Sequence, residues 1–323
     1  MRILFITTKN PTKQGDLMEI SILHGLRSLL GSNCVDYPRK KIMYGDFSES
    51  PKQSLHGMGF NLLSTPIQDL TEEERRLTDN DGKLKHFDFV LFGSGHMYGE
   101  NPKEFDIYLP AKRIWYLDGH DLYGNAPRMI QYNEETVIGA QYMRCFKREL
   151  VENDLYQTYP SGFGIPRSRI KPLSFTNKTQ LFPKTVPNDA LFQNVQDMGG
   201  GRNHYKFTNE DEYMDDISKS LFGLTCKKGG WDCLRHYEIL AAGTLLLFKD
   251  YDKKHELCSP QNLPCLSYSS MEDLNKVIDS LIIDGKPNAL YNQLLIKQRE
   301  WLLMHGTTEA RALEIIKTLS KYL

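Results

Sequence analysis

Runs of apolar residues alternate with amphipathic segments along the N-terminal half of the chain. Residues 2–7 form a short apolar run, which predicts a β-strand. After Asp16, apolar residues recur at helical spacing and stop at Gly31, which predicts a helix. Two further continuous apolar runs, 87–92 and 113–117, are each followed by a loop that contains glycine. Buried strands that alternate with helices are typical of a parallel sheet covered on both faces.

The pattern changes in the middle of the chain. Between about 156 and 190 proline and glycine are frequent and periodicity is weak, so we interpret this stretch as a linker and the entry to a second domain. The pattern then predicts, in order, a helix over 210–220, a strand over 221–226, a helix that begins near Asp232, a strand over 244–248, and an amphipathic helix over 290–323 that is interrupted near His305 and Gly306.

Length and charge restrict the class of protein. The 323 residues suggest two domains, at roughly 150 residues each. Lys and Arg number 40 against 41 Asp and Glu, and this balance disfavours a protein that coats nucleic acid with a basic surface. The longest apolar run, 239–248, is about half as long as a membrane span, and the N-terminus turns polar too soon for a signal peptide.

Six cysteines are scattered along the chain at positions 34, 145, 226, 233, 258 and 265. The closest pairs have C-x6-C spacing, which fits neither a compact disulfide framework nor the tight pairs of a structural zinc site. We therefore predict reduced, buried or half-buried thiols and a cytoplasmic location.

The segment 227–244 carries the strongest chemical signal. A predicted strand ends there, two glycines follow, and a helix begins, an arrangement whose free backbone N–H groups favour phosphate. Arg235 and Glu238 are three residues apart and so share a helical face. Arg235 could bind phosphate oxygens, and Glu238 could accept hydrogen bonds from ribose hydroxyls. The alternative is an ordinary Arg–Glu pair on a helix with a glycine cap.

The stretch Gly230-Trp-Asp-Cys-Leu-Arg-His-Tyr-Glu-Ile-Leu-Ala-Ala-Gly243 resembles the donor-site motif of GT-B glycosyltransferases, in the family 1/CgeB-like branch. The resemblance covers roughly 204–250, with a looser match over 15–38. In the wider fold a Glu-x7-Glu motif places its second Glu on the donor ribose; Glu238 matches that position, whereas Gly230 stands where the first Glu would be. The donor-binding residues that the resemblance implies are Lys228, Gly229, Gly230, Trp231, Asp232, Arg235, Glu238 and Gly243.

The resemblance implies two Rossmann-like domains that face each other across a cleft. The acceptor-side domain would span 1–160, the nucleotide-sugar domain 161–310, and a final helix, 311–323, would pack back on the first domain. It also implies no metal and no cofactor beyond the nucleoside diphosphate sugar, UDP-linked in our expectation. Two Asp-x-Asp triplets, 79–81 and 250–252, are interpreted as solvated loops. Arg202, at the end of a glycine run, is either a second phosphate contact or part of a surface loop.

Transfer of a sugar requires a base for the acceptor hydroxyl, and the loops after the predicted strands offer candidates. Asp16 and Asp121 are the preferred catalytic residues, with His96 and His120 as lining residues. The alternative for Asp16 is a helix N-cap, and for the group near 118–121 it is turn chemistry. The charged triplet 147–149 is interpreted as a solvated face, and Trp231 fits a site or a core equally well.

The sequence therefore predicts a metal-independent, inverting glycosyltransferase, either hexosyl- or pentosyltransferase, that acts on a hydroxyl acceptor. That acceptor is a glycan, a lipid-linked glycan, a protein side chain or a modified nucleobase. One alternative is a catalytically degenerate fold that only binds sugar or nucleotide. The other, a Rossmann-type oxidoreductase, is disfavoured because no G-x-G-x-x-G follows Ile6.

Overall fold

The computed structural model describes residues 1–7, 16–49, 51–82, 85–93, 113–121, 144–151, 157–187, 189, 191–192 and 207–323. Within these ranges, six parallel strands form one sheet in the spatial order β2-β1-β3-β4-β5-β6. The strands are β1 Ile3–Ile6, β2 Cys34–Tyr37, β3 Phe89–Phe92, β4 Ile114–Asp118, β5 Arg144–Lys147 and β6 Thr158–Pro160.

The central strands of this first sheet are buried along their whole length. All residues of β1, β3 and β4 are buried, as expected for a parallel sheet covered on both faces. These three strands confirm the predictions over 2–7, 87–92 and 113–117. Helix α1, Leu17–Leu30, follows β1; the Asp16 side chain caps its start, and Gly31 ends it with a φ of 55°.

A second parallel sheet lies in the C-terminal half, in the order β7-β8-β9. Its strands are β7 Phe222–Cys226, β8 Leu245–Lys249 and β9 Leu266–Tyr268, and a short antiparallel hairpin follows, β10 Ile282–Ile283 with β11 Lys286–Pro287. Over the described residues, the other α-helices are α2 Glu72–Arg75, α3 Glu210–Ser218, α4 Leu234–Ala241, α5 Met271–Leu281, α6 Ala289–Trp301 and α7 Thr308–Ser320. The elements predicted over 210–248 are confirmed.

The proline- and glycine-rich stretch begins differently from the prediction. Thr158–Pro160 forms β6, the sixth strand of the first sheet, so the segment is not a linker at its start. A strand of three residues is too short to show a pattern of apolar and polar positions. Pro160 also argues against a strand, because proline lacks the N–H that pairs with a neighbouring strand. From β6 to residue 187 the chain is irregular, apart from a 3₁₀ turn at Arg167–Arg169.

The C-terminal segment is helical and crosses back to the first sheet. Helix α6 ends at Trp301, a π-helical turn spans Leu302–Gly306, and α7 follows, which confirms the predicted interruption. Helix α7 packs on α1, where His24 Nδ1 and Thr308 Oγ1 lie 2.8 Å apart. One apolar core consequently includes residues of both halves, such as Phe5 and Leu246.

The fold is α/β with parallel sheets, as the sequence predicts. The cysteine prediction is confirmed as well: all six are unpaired, and four of them are buried. No helix in the described ranges has the length and apolar character needed to cross a bilayer.

Candidate active site

Parallel strands end at one edge of their sheet, and charged side chains gather at that edge of the first sheet. Asp16 precedes α1, Asp121 follows β4, and Arg148 and Glu149 follow β5. We call these four residues the junction cluster. The segment 227–232, between β7 and α4, is called the glycine loop.

Asp16 is buried where α1 begins. Its side chain is 7% exposed, and Oδ1 accepts a hydrogen bond from the Met18 N–H at 2.7 Å, so the predicted N-cap is confirmed. Burial raises the pKa of Asp16 to about 6, although the Met18 N–H and the Arg148 guanidinium act to lower it. Gly119 lies so close that a Cβ there would overlap the Asp16 carboxylate. A carboxylate with this pKa is suited to accept a proton near neutral pH.

Asp121 is the more accessible of the two acidic candidates. Its side chain is 52% exposed and forms an ion pair with the Arg148 guanidinium. His120 precedes it, and the His120 backbone N–H donates to Asp118 Oδ1 at 3.2 Å. The side chain of Asp118 also accepts from Lys147 Nζ at 2.8 Å. Asp118 therefore supports the turn, while Asp121 points toward the rest of the junction cluster.

The charged triplet 147–149 contradicts the prediction of a solvated face. Lys147, Arg148 and Glu149 are 0%, 2% and 0% exposed. They end β5 and enter the loop after it, in the interior between the two sheets. The prediction was wrong because β5 has only four residues, two of them basic, and so has no apolar run to reveal it.

Arg148 joins the two halves of the molecule. Its Nε donates to the Gly119 carbonyl at 3.0 Å, and Nη1 donates to the carbonyl of Asp232 in the glycine loop. The guanidinium also lies 4.6 Å from the centre of the Phe163 ring. The sequence did not predict this buried cation beside Asp16 and Asp121. No sequence signal marked it, because the strand that precedes it, β5, has no apolar run.

The glycine loop lies directly against the junction cluster. A Cβ at Gly229 would overlap the Asp121 carboxylate, and a Cβ at Gly230 would overlap Glu149 Oε1. Glu149 Oε1 also accepts from the Asp232 N–H at 3.1 Å. Lys228, the preceding residue of the loop, is exposed. The structure thus brings together the predicted acid–base residues and the predicted phosphate loop, which come from opposite halves of the chain.

Trp231 and Asp232 turn inward from the loop. Trp231 is 6% exposed and packs on Phe248, so it lies in the core, with Lys227 Nζ 5.2 Å from its ring centre. The Asp232 carboxylate accepts from the Phe163 N–H at 2.9 Å and from the Tyr237 hydroxyl at 2.8 Å. The next helix begins at Leu234, two residues later than Asp232. These two residues fix the shape of the loop.

Glu238 lies on α4 and is held by both halves of the molecule. Its Oε1 accepts from Asn61 Nδ2 at 2.9 Å, and its Oε2 accepts from the Tyr213 hydroxyl at 2.6 Å. Burial raises the pKa of Glu238, whereas Tyr213 and Arg235 act to lower it. Arg235 Nη1 donates to the Thr185 carbonyl at 3.3 Å. Asn61, which no sequence signal marked, has a left-handed φ of 65°.

Solved structures similar to this chain are glycosyltransferases. One is an alpha-glucosyltransferase in complex with UDP and a 13-mer DNA containing a central A:G mismatch, with a TM-score of 0.51, 12% identity and 99% of each chain covered. Another is the trehalose-6-phosphate synthase OtsA, with a TM-score of 0.53, 10% identity and the same coverage. The chain has the GT-B fold. No family model and no curated protein matches it, so the CgeB-like branch remains a prediction.

In this GT-B fold, not every predicted donor residue reaches the glycine loop. Gly243 lies beyond the opposite end of α4, where its φ of 75° ends the helix, and its carbonyl accepts from Lys178 Nζ at 2.6 Å. His96 and Arg202 lie outside the described residues.

Both Asp-x-Asp triplets lie in turns. The Asp81 N–H donates to Asp79 Oδ1 at 2.9 Å in an exposed turn, and Asp250 precedes a 3₁₀ turn with a left-handed φ of 58°. Over the part of the chain that the structure describes, no group of three or more His, Cys, Asp or Glu side chains is arranged to hold a metal ion.

Proposed function

We propose that the chain is a glycosyltransferase that moves a sugar, a hexose or a pentose, from a nucleoside diphosphate to a hydroxyl acceptor. One observation carries this proposal: Asp121 and Arg148 of the first half meet Gly229 and Gly230 of the second, while Gly119, in the turn after β4, lies against Asp16. A base and a phosphate-binding loop at one junction are the two parts that glycosyl transfer requires. The GT-B fold agrees with this arrangement.

The donor would lie on the side of the second sheet. The backbone N–H groups of Gly229 and Gly230, together with Lys228, Arg235 and Arg202, would offset the diphosphate charge in place of a metal. Glu238 would accept hydrogen bonds from the ribose, in exchange for those it now accepts from Asn61 and Tyr213. We expect UDP as the nucleotide.

The transfer step would proceed with inversion. A carboxylate, Asp16 in our preferred assignment and Asp121 in the alternative, accepts the proton of the acceptor hydroxyl. The acceptor oxygen then bonds to the anomeric carbon while the bond from that carbon to the diphosphate oxygen breaks. The negative charge leaves on the diphosphate, which Arg148 and the loop N–H groups stabilise. His96 and His120 would line the acceptor side.

The same proposal includes the organisation and location of the protein. We propose an acceptor-side domain over 1–160, a donor domain over 161–310 and a returning helix over 311–323. Unpaired cysteines support a cytoplasmic location. One GT-B neighbour was solved with DNA, yet the net charge of −1 disfavours a duplex acceptor here. A glycan, lipid-linked glycan or protein hydroxyl is the favoured acceptor.

Donor binding provides the direct test. Purified protein is titrated with UDP, GDP and their glucose conjugates, with and without EDTA, and binding is followed as the rise in Tm. Arg235→Ala and Glu238→Gln should each weaken binding of the preferred nucleotide by at least tenfold, about 1.4 kcal/mol. Glu272→Ala, an exposed carboxylate on α5, serves as the matched control and should bind normally.

Turnover separates transfer from binding alone. Release of nucleoside diphosphate from the preferred sugar nucleotide is expected, and it should persist in EDTA. Normal binding and turnover by both Arg235→Ala and Glu238→Gln would reject the donor site. Tight donor binding without any turnover would favour the degenerate binding module instead.

A further inference from the structure

A cavity of about 310 Å³ lies between the carboxyl end of β6 and helix α7. Strand β5 contributes Phe146 to its wall, α7 contributes Thr318, and the irregular chain before β9 contributes Asn262. Its described lining residues include no member of the junction cluster or the glycine loop. The cavity is therefore distinct from the candidate active site.

Charged groups in this cavity balance one another. Arg311 is buried, and its Nη1 lies 3.1 Å from Glu314 Oε2. The other carboxylate oxygen of Glu314 lies 3.0 Å from His305 Nδ1, so one side chain joins the cation to the imidazole. Because the Arg311 charge is already matched by Glu314, an anion would gain little here. The favoured ligand is neutral and forms hydrogen bonds.

The remaining walls offer both polar and apolar surface. Pro160, Ile315 and the Tyr159 ring form an apolar side. Gln261 and Asn262, whose side chains carry amides, also line the cavity, and Asn262 has a left-handed φ of 51°. Amides and hydroxyls both donate and accept hydrogen bonds, which suits a ligand with several hydroxyl groups.

We propose that this cavity binds one neutral saccharide unit, at a site additional to the donor and acceptor positions. A sugar ring has a C–H face for the apolar wall and hydroxyls for the amides, the carboxylate and the imidazole. The cavity volume, about 310 Å³, is near the lower limit of the volumes of known ligand pockets, so we expect the ligand to have a single ring. The choice of a saccharide over another neutral polyol rests on the proposed function.

Asn262, Thr318 and Glu314 allow a direct test in the full chain. Binding of methyl glucosides and maltose is measured by saturation-transfer NMR and calorimetry, with glycerol and glucose 6-phosphate for comparison. Asn262→Gly keeps the left-handed backbone and removes the amide, and Thr318→Phe fills the space. Each should lower saccharide affinity at least tenfold, whereas Lys317→Ala, exposed on the same helix, should not.

Glu314→Gln provides an independent check on the charge argument. With the carboxylate charge removed, Arg311 loses its ion-pair partner, and preference should move from the neutral sugars toward glucose 6-phosphate. The proposal is overturned if no neutral saccharide binds, if glycerol or glucose 6-phosphate binds the unmodified protein equally well, or if affinity survives both Asn262→Gly and Thr318→Phe.

These outcomes are distinguishable from failure of the proposed function. Saccharide binding that depends on Asn262, in a protein without sugar-nucleotide turnover, would support the second site and reject the transferase. Saccharide binding that is lost in Asp16→Asn and kept in Asn262→Gly would place the sugar at the junction cluster and reject the second site.

Discussion

At the scale of single residues, the ionisation of Asp16 has opposite effects on folding stability and on its proposed role as a base. Its folded-state pKa, about 6, exceeds the ordinary 3.8, so the folded protein binds this proton more tightly than the unfolded chain. The stabilising contribution of protonated Asp16 is full below about pH 3.8 and is lost as the pH rises through about 6. Ionised Asp16 therefore costs folding free energy at the pH where it is able to act as a base.

Asp16→Asn should consequently raise stability and abolish activity. Asparagine caps a helix as well as aspartate does, so α1 keeps its start. At pH 8 we expect the free energy of unfolding to rise by about 2 kcal/mol, with no gain at pH 3.5, as measured by urea unfolding. Turnover should fall by about 10²–10⁴-fold.

The pH profile and a control variant complete this test. In the unmodified protein, kcat/KM should rise with pH, reach half of its maximum near pH 6 and level off at higher pH. Asp279→Asn, on the exposed face of α5, should change neither stability nor turnover. Unchanged turnover in Asp16→Asn would transfer the role of base to Asp121.

Sequence patterns could predict Asp16 and Asp121 but not their partner Arg148. Both acids follow apolar runs that are long enough to mark a strand, and acids after strands are expected in loops that bind ligands. Arg148 follows a strand of four residues whose first and last residues are basic. In the sequence, this segment resembles a run of charges on the surface. Only the tertiary fold shows that this cation is buried against the glycine loop.

At the scale of elements, the glycine loop requires its two glycines for different reasons. A side chain at Gly230 would collide with Glu149 and approach Arg148, both of which are buried and have nowhere to move. A side chain at Gly229 would collide with Asp121, which is half exposed and free to rotate into solvent. Alanine substitutions at the two positions can therefore be compared directly with each other.

Gly230→Ala should lower the free energy of unfolding by about 1–3 kcal/mol, as overpacking does in other interiors. Gly229→Ala should destabilise the protein less than Gly230→Ala does, because the displaced Asp121 side chain reaches water and Arg148 keeps Glu149 as an ion-pair partner. Gly229→Ala should instead reduce turnover, since rotation of Asp121 breaks its ion pair with Arg148. Urea unfolding and nucleoside diphosphate release measure the two effects. Equal destabilisation by both variants would contradict this difference.

The same scale shows how far periodicity predicts the fold. Strands β1, β3, β4, β7 and β8 and helices α1, α3 and α4 were predictable, because buried parallel strands are continuous apolar runs and the helices keep a 3.6-residue period. Strands β2, β5 and β6 were not predictable. Each is three or four residues long and is interrupted by a charged residue or a proline.

At the scale of the whole molecule, the last helix connects the two ends of the chain. Helix α7 lies on α1, and Gly25 allows the close approach: a Cβ there would overlap the Thr308 carbonyl and lie 2.9 Å from Ala312 Cβ. The overlapped atom belongs to the backbone, so relief requires the whole helix to move. Such a movement would also disturb Arg311, whose Nε donates to the Phe163 carbonyl at 3.2 Å.

Gly25→Ala should therefore destabilise the protein by about 1–3 kcal/mol. In an exposed helix the same change would stabilise by about 1 kcal/mol, because alanine is the better helix former, so the sign itself tests the contact. Ser28→Ala, on the exposed side of α1, is the control and should change stability by less than about 0.5 kcal/mol. Thermal unfolding gives both values. A Gly25→Ala protein as stable as the unmodified chain would show that α7 does not hold α1 this closely.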